Sequence, residues 1–367
     1  MVWVDRDYMR SLGYADSELW TRETDLLSAP TEVHLQPTNR CGAGCRACYT
    51  DADGPTIKPE DELSPTKLRE IVDALADMRV FHLALGGGES LGLEGFFELA
   101  EYARARGLLP SLTTNGFDLT PAIAKRCRIF SAVHVSIDGV GELYKAVRGY
   151  DRFAEADHAV QLLRQAGCQV GLNTVVCRQS ADGLDDLVAY AARRQVKQIE
   201  LLRFKPAGRA REHYDEMKPT HEQLDSLYPR LVKLMKKHKV RLLADCSLAP
   251  MIYLHRPDPQ KLDLLGVTGC LGGNMLMSVT PDGVPAPCSF ARGDKRDAST
   301  VGQWWSDDDV FRVFRRWNEQ APEPCRSCDY LKLCHGGCHV VAEHVTGDAC
   351  APDPDCGFVR DYQEKKK

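Results

Sequence analysis

The sequence contains no uninterrupted apolar run long enough to cross a bilayer, so a plain transmembrane helix is excluded. It also lacks an excess of either charge: 47 Lys and Arg stand against 52 Asp and Glu, a net of -5. That balance gives no electrostatic reason to expect nucleic acid or an anionic membrane as partner. The opening Met1–Arg10 mixes Asp5, Arg6 and Asp7 among apolar residues and so does not read as a secretory signal. Low-complexity tracts and solenoid repeats are missing too. These absences lead us to expect a cytoplasmic protein, and 367 residues suffice for a large domain with a smaller one.

Cysteine is what the sequence has in excess, with 15. A reducing compartment keeps thiols free, so a disulfide framework is not the natural reading. Eleven of the 15 fall in two regions, Cys41 to Cys48 and Cys270 to Cys356, and clustered thiols usually mean metal.

From about residue 31 to 245, short apolar runs alternate with amphipathic ones. Strands are expected at Val33–Gln36, Val80–Leu85, Leu109–Leu112, Ala132–Ile137, Val170–Val176 and Ile199–Leu202. Helices are expected from Pro65 behind the N-cap Ser64, at Glu94–Arg106 closed by Gly107, and near Phe153–Ala166, Leu184–Arg194 and Thr220–Lys237. Repeated strand–helix units imply an α/β fold with a parallel sheet and right-handed crossovers. Six units suit a partial (β/α)6 TIM-like barrel, although periodicity alone also allows a doubly wound sheet. Either architecture collects ligand-binding loops at the C-terminal ends of strands. Beyond residue 245, Pro and Gly increase, a hairpin is expected around Pro281-Asp282-Gly283, and Pro322 to Phe358 reads as loop folded around metal. The expected division is an extension over 1–30, a barrel over 31–245 and a small, loop-rich cluster domain over 246–367.

Cys41-x3-Cys45-x2-Cys48 follows the first strand. Three thiolates can hold three irons of a cubane and leave the fourth open, which suits catalysis rather than structure. The alternative is part of a zinc site, with His34 the nearby fourth ligand. The motif resembles that of the radical S-adenosylmethionine (SAM) superfamily, although Ala47 stands where an aromatic residue is common and Tyr49 follows the third Cys. The resemblance covers about residues 31 to 210 and implies a 4Fe–4S cluster whose open iron binds SAM. It further implies that Gly87-Gly88-Glu89 holds the methionine amino group, with Ser90 in place of the usual Pro. Thr114 and Asn115 resemble the third strand's end, and Ser136 and Asp138 the fourth's. Arg148 is implied as the partner of the SAM carboxylate, with a surface salt bridge as the alternative. Asn173 is implied near the adenosine, with core polar capping as the alternative. Arg203 and Lys205, ending the sixth strand, are candidate pocket residues or surface pairs.

Cys325-x2-Cys328-x5-Cys334-x3-Cys338, with Cys270 and Cys288 upstream and Cys350 and Cys356 downstream, resembles the SPASM extension of some radical SAM enzymes. The alternative is a pair of zinc sites. The resemblance implies two auxiliary clusters, for three 4Fe–4S clusters in all. Cys325, Cys328, Cys334 and Cys356 would hold the distal one, and Cys270, Cys288 and Cys338 the proximal one. Cys350 and Cys246 are candidates for its fourth ligand, with an open iron as the alternative. Cys127, Cys168 and Cys177 read as buried fillers, and His335, His339 and His344 as neighbours of the clusters rather than ligands.

The resemblance implies abstraction of hydrogen from a ribosomally made peptide by a 5′-deoxyadenosyl radical, installing a crosslink, an epimerisation or an oxidation. Modification of a haem-type tetrapyrrole and a zinc- or cluster-bearing binding protein are the alternatives. Sulfatase maturation is disfavoured, because Ser289 stands where those enzymes place an Asp. Expected partners are the peptide, with direct docking or a separate recognition protein, and an electron donor such as flavodoxin or ferredoxin.

Overall fold

The computed structural model describes residues 27–54, 57–293, 301–306 and 308–366. Most of the expected 1–30 extension, the Met1–Arg10 start and Lys367 lie outside these residues. Nine strands form one sheet: β1 (Glu32–Thr38), β2 (His82–Gly87), β3 (Leu109–Thr114), β4 (Val133–Ser136), β5 (Val170–Val176), β6 (Gln198–Arg203), β7 (Arg241–Ala244), β8 (Leu276–Val279) and β9 (Pro285–Ala286). Their spatial order is β7-β6-β5-β4-β3-β2-β1-β8-β9. Every pairing is parallel except β8 with β9. The α/β fold and its parallel sheet are as expected.

Alternation along the strands decides the architecture. Val33 and Leu35, Leu83 and Leu85, Val133 and Val135, and Ile199 and Leu201 are buried against helices. Their alternates Glu32, His34, Gln36, His82, His134, Ser136, Gln198 and Glu200 line a cavity on the other face. A period of two puts successive side chains on opposite faces, so one face of this sheet packs and the other stays polar.

The helices begin where the sequence supplies caps. In α1 (Pro65–Asp77) the Ser64 side chain accepts a hydrogen bond from the Lys67 N–H and Pro65 opens the helix. It buries Leu68, Ile71, Val72 and Leu75. Helices α2 (Phe96–Ala105), α3 (Phe153–Gln165), α4 (Leu184–Arg193) and α5 (His221–His238) follow at the expected places. Thr220 and Gln223 form a reciprocal capping box at the start of α5.

Two expectations need correction. The seventh parallel strand, β7, was not anticipated. It has four residues, two of them exposed, and the helix before it ends at Lys239 in the left-handed region (φ 57°) where a glycine would have marked the stop. The region 322–358 is not all loop, since α6 (His339–Thr346) buries Val340, Val341 and Ala342. Its eight residues are too few to show a period among clustered cysteines. A further helix, α7 (Gly357–Glu364), follows it. The hairpin around Pro281-Asp282-Gly283 is present as β8–β9, with the Thr280 N–H donating to Val284 O at 3.0 Å.

The C-terminal residues are pinned to the sheet by charge. Arg203, fully buried at the end of β6, donates from Nη1 to Asp353 Oδ2 (2.5 Å) and from Nη2 to Asp353 Oδ1 (3.0 Å) and Asp355 Oδ2 (2.5 Å). Nη1 also reaches Ser247 O at 3.2 Å. Burial opposes the guanidinium charge, but Asp353 and Asp355 outweigh it and hold its pKa well above the ordinary value. Removing one partner of such a set leaves uncompensated buried charge. Arg203→Leu is therefore expected to destabilise the protein by about 3–5 kcal/mol. Urea unfolding of the anaerobic protein measures this, and Asp353→Asn/Asp355→Asn added to Arg203→Leu should recover part of the loss.

Candidate active site

A cavity of about 440 Å³ occupies the polar face of the sheet. Its lining brings together Cys41, Cys45 and Cys48, Gly87, Gly88 and Glu89, Thr114 and Asn115, Ser136 and Asp138, Arg148 and Asn173. These residues come from five successive strands and the segments that follow them, with Asn173 inside β5 and Arg148 at the end of the helix Glu142–Arg148. Chain separation is cancelled by parallel pairing, as Ser136 and Asn173 show by standing opposite one another across β4 and β5.

The three-cysteine loop is held from outside itself. Asp53 accepts hydrogen bonds from the backbone N–H groups of Cys41 (3.1 Å) and Gly42. Arg209 donates to Asp51 Oδ1 (2.7 Å), Ala52 O (2.8 Å) and Cys45 O (3.3 Å). Each thiol has a polar neighbour: Asn115 Nδ2 at 3.8 Å for Cys41, Tyr150 Oη at 3.2 Å for Cys45, and Thr50 Oγ1 at 3.3 Å for Cys48. Burial, with Cys45, Glu89 and Cys48 nearby, pushes the Cys41 thiol up to about 11. Loading a metal here must therefore displace protons.

The glycine triplet is fixed by close approach. A Cβ on Gly88 would lie 2.3 Å from Arg40 O, so only glycine lets the end of β2 meet the cysteine loop. The N–H groups of Gly88 and Glu89 donate to Thr38 O and Arg40 O, each at 2.8 Å. The Glu89 carboxylate accepts from Thr114 Oγ1 and the Asn115 N–H, both at 2.8 Å. Burial nevertheless raises its pKa against those bonds. On the opposite wall Arg148 Nε lies 2.5 Å from Asp138 Oδ2, and its Nη1 points at Cys45 Sγ (3.5 Å). Burial works against the Arg148 charge, but Asp138 and Cys45 outweigh it and keep its pKa well above the ordinary value.

Arg203, also expected among the cofactor contacts, is engaged elsewhere. It borders the cavity, but its guanidinium is taken up by Asp353, Asp355 and Ser247, so it acts as a pin. Lys205 is likewise engaged, with Asp245 and with Arg203 O at 3.2 Å, and its Nζ lies 4.3 Å from the Phe290 ring centre. Asp53, Arg209 and Tyr150 were missed, because single polar residues in loops carry no spacing signal until the fold brings them to the cysteines.

All fifteen cysteines are free thiols. Cys325, Cys328, Cys334 and Cys356 line one small pocket beside Tyr253, Tyr330 and Phe358. Cys270 feels Cys246, Cys288 and Cys338, and burial followed by these neighbours raises its pKa well above the ordinary value. Cys246 is also raised, to about 12, by burial and then by Asp245, with Cys288 a lesser neighbour. Cys350, counted among the candidate ligands, is exposed, and beyond modest burial its thiol responds to Asp348 and not to another cysteine. Cys127 and Cys177 are buried as expected, whereas Cys168 is only half-buried and donates to Ala124 O at 3.4 Å.

The chain as a whole has known relatives. A model of the Radical SAM superfamily matches residues 35–191. The chain belongs to this superfamily, and its C-terminal cysteine region is of the SPASM type. It is 31% identical over 341 residues to the mycofactocin maturase MftC of Mycolicibacterium smegmatis, covering 90% of this chain and 83% of that protein. It is 28% identical to the PqqA peptide cyclase of Rhizobium meliloti (89% and 87% covered) and 27% identical to the AdoMet-dependent heme synthase of Methanosarcina barkeri (90% and 97%). In fold it is similar to Streptococcus suis SuiB bound to the precursor peptide SuiA, with a TM-score of 0.75 at 17% identity over 97% of this chain and 84% of that one.

Replacing Cys41, Cys45 and Cys48 together by Ala is expected to remove about four irons per chain. It should abolish release of 5′-deoxyadenosine from SAM. Iron and sulfide analysis beside chromatography of the nucleoside checks both, and unchanged iron would refute the assignment.

Proposed function

We propose that this enzyme seats SAM on a 4Fe–4S cluster held by Cys41, Cys45 and Cys48 and modifies a ribosomally made peptide in the cytoplasm. The observation that carries this reading is the shared cavity, which Cys41, Cys45 and Cys48, the Gly87-Gly88-Glu89 turn and the Asp138–Arg148 pair all line. The donor set fits the cluster: each of the three thiols has a polar neighbour, and all of them border open space. When bound, the reduced cluster and SAM supply a 5′-deoxyadenosyl radical able to take hydrogen from unactivated carbon.

The chain's own residues supply positioning. Glu89, oriented by Thr114 and Asn115, offers a carboxylate to an ammonium group. Arg148 offers a cation to a carboxylate while Asp138 fixes its direction. Ser136 and Asn173 present polar groups to a ribose or base from adjacent strands. The maturase and peptide-cyclase relatives, aligned over nine-tenths of the chain, favour a peptide as substrate. A flavodoxin or ferredoxin would deliver the electron.

The same reading assigns Cys325, Cys328, Cys334 and Cys356 to a distal auxiliary cluster. Cys270, Cys288 and Cys338 belong to a proximal one, with Cys246 as its fourth ligand. Cys246 follows β7, and the Leu271 N–H, next to Cys270, donates to it. Cys246→Ser is expected to alter the proximal cluster's electron paramagnetic resonance signal, whereas Cys350→Ser should leave the iron content and spectrum unchanged. The reverse outcome would exchange the two assignments.

The function is tested with anaerobically reconstituted protein, SAM and dithionite. The expected results are 5′-deoxyadenosine release and a mass change in a short peptide encoded beside this gene. Turnover of a haem precursor instead would favour the tetrapyrrole reading. Stoichiometric zinc without nucleoside release would overturn both.

A further inference from the structure

The floor of the cavity carries a hydrogen-bonded chain that SAM binding does not use. His34 Nδ1 lies 2.8 Å from Ser289 Oγ, and His34 Nε2 lies 2.8 Å from Glu32 Oε1. The other carboxylate oxygen of Glu32 meets His82 Nδ1 at 3.3 Å. Ser289, His34, Glu32 and His82 all line the cavity that holds the three-cysteine loop. They come from three places in the chain: β1 supplies Glu32 and His34 on one face, β2 supplies His82 opposite Glu32, and the turn after β9 supplies Ser289.

The direction of this chain follows from donor and acceptor rules. Glu32 lies between His34 Nε2 and His82 Nδ1, and an ionised carboxylate only accepts hydrogen bonds. His34 Nε2 must therefore donate to Glu32. In the neutral ring that leaves Nδ1 as an acceptor, and the Ser289 hydroxyl donates to it. An oxygen whose proton already points at an imidazole, itself oriented by a carboxylate, has the arrangement of an activated hydroxyl. The bland alternative is a polar network that only satisfies the barrel floor. It would give the same distances but no reactivity at Ser289.

We propose that Ser289 is a base-activated hydroxyl and that Ser289, His34 and Glu32 form the proton acceptor of the cavity. Its substrate is a peptide group with a removable proton, such as a side-chain hydroxyl or thiol. The proton of that X–H group passes to Ser289 Oγ while the proton of Ser289 passes to His34 Nδ1. The electron pair of the X–H bond stays on X. A neutral group and a neutral imidazole thus become an anion and an imidazolium, and Glu32 compensates the latter. Ser289 is the catalytic residue of this step; His34 acts through it, and Glu32 and His82 position His34. The proposal rests on the functional reading only in taking this cavity as the substrate's place.

A fluorophosphonate ester tests the activation without SAM or the natural substrate. In that reaction the Ser289 Oγ–P bond forms, the P–F bond breaks, fluoride leaves and the proton goes to His34. Labelling of the holoenzyme is followed by intact mass and peptide mapping, with iron content and circular dichroism as controls for folding. Ser289 is expected to be labelled, with the rate falling at least about 100-fold in His34→Ala. The rate should fall about tenfold in Glu32→Gln, which keeps the shape and supplies a second variant if His34→Ala does not fold. Labelling of His34→Ala should be partly restored by added imidazole, which a merely structural role would not allow. No adduct at Ser289, or an equal rate in both variants, overturns the proposal. Because labelling is read independently of nucleoside release, failure here and failure of the SAM chemistry are distinguishable.

Discussion

The constraint on which the rest depends is the division of the sheet into an apolar face and a polar one. Val33, Leu35, Leu83, Leu85, Ile199 and Leu201 bury one face under helices. Their alternates on the same strands are Glu32, His34, Gln36, His82, Gln198 and Glu200, which no layer of helices could cover without leaving polar groups unsatisfied. The sheet therefore packs on one side and encloses a cavity on the other. Parallel pairing then sets the C-terminal ends of the strands side by side at one rim. The cysteine loop after β1 and the glycine turn after β2 are neighbours for that reason.

Charge inside this cavity is tolerable because almost every charged group is held by several partners. Glu89 accepts from Thr114 and Asn115, Asp138 accepts from the Val175 N–H at 2.7 Å while pairing with Arg148, and Glu32 lies between two histidines. Fixed dipoles and charges of this kind need not reorganise when a charged ligand arrives. The most deeply buried set, Arg203 with Asp353 and Asp355, serves connection instead. Asp353 also accepts from the Cys338 N–H at 2.9 Å, so the ion set that holds the C-terminal region to β6 also orients one of its cysteines.

Local patterns made the fold and the first cysteine loop legible in the sequence. Strand alternation, the Ser64-Pro65 start and the spacing of Cys41, Cys45 and Cys48 all lie within a few residues. What was not legible depends on distance in the chain. Arg203 ends a strand at the rim and reads as a pocket cation until Asp353, 150 residues later, is seen to take it. Cys246 and Cys350 are equal candidates on spacing, yet one packs near Cys270 and the other is exposed. Helix α6 is hidden because the cysteines and glycines before it, each with its own conformational demand, resemble loop composition. Its apolar residues are buried by tertiary packing and not by periodicity.

The turn after β9 ties these parts together. Cys288 feels Lys205 and Asp245 from the β6 and β7 side, and it packs in the same cluster as Cys338 and Phe204. Ser289 reaches past β8 to His34 on β1. Phe290 lies between the Tyr49 ring, 5.0 Å away in the cysteine loop, and the Lys205 ammonium. Three consecutive residues therefore touch the C-terminal thiols, the cavity floor and the first cysteine loop. A shift of this short segment would disturb all three contacts at once, so the relative placement of the two cysteine regions is fixed locally by the wall they share. A common rigid wall fixes the two cysteine regions relative to each other with fewer parts than two independently positioned domains would need.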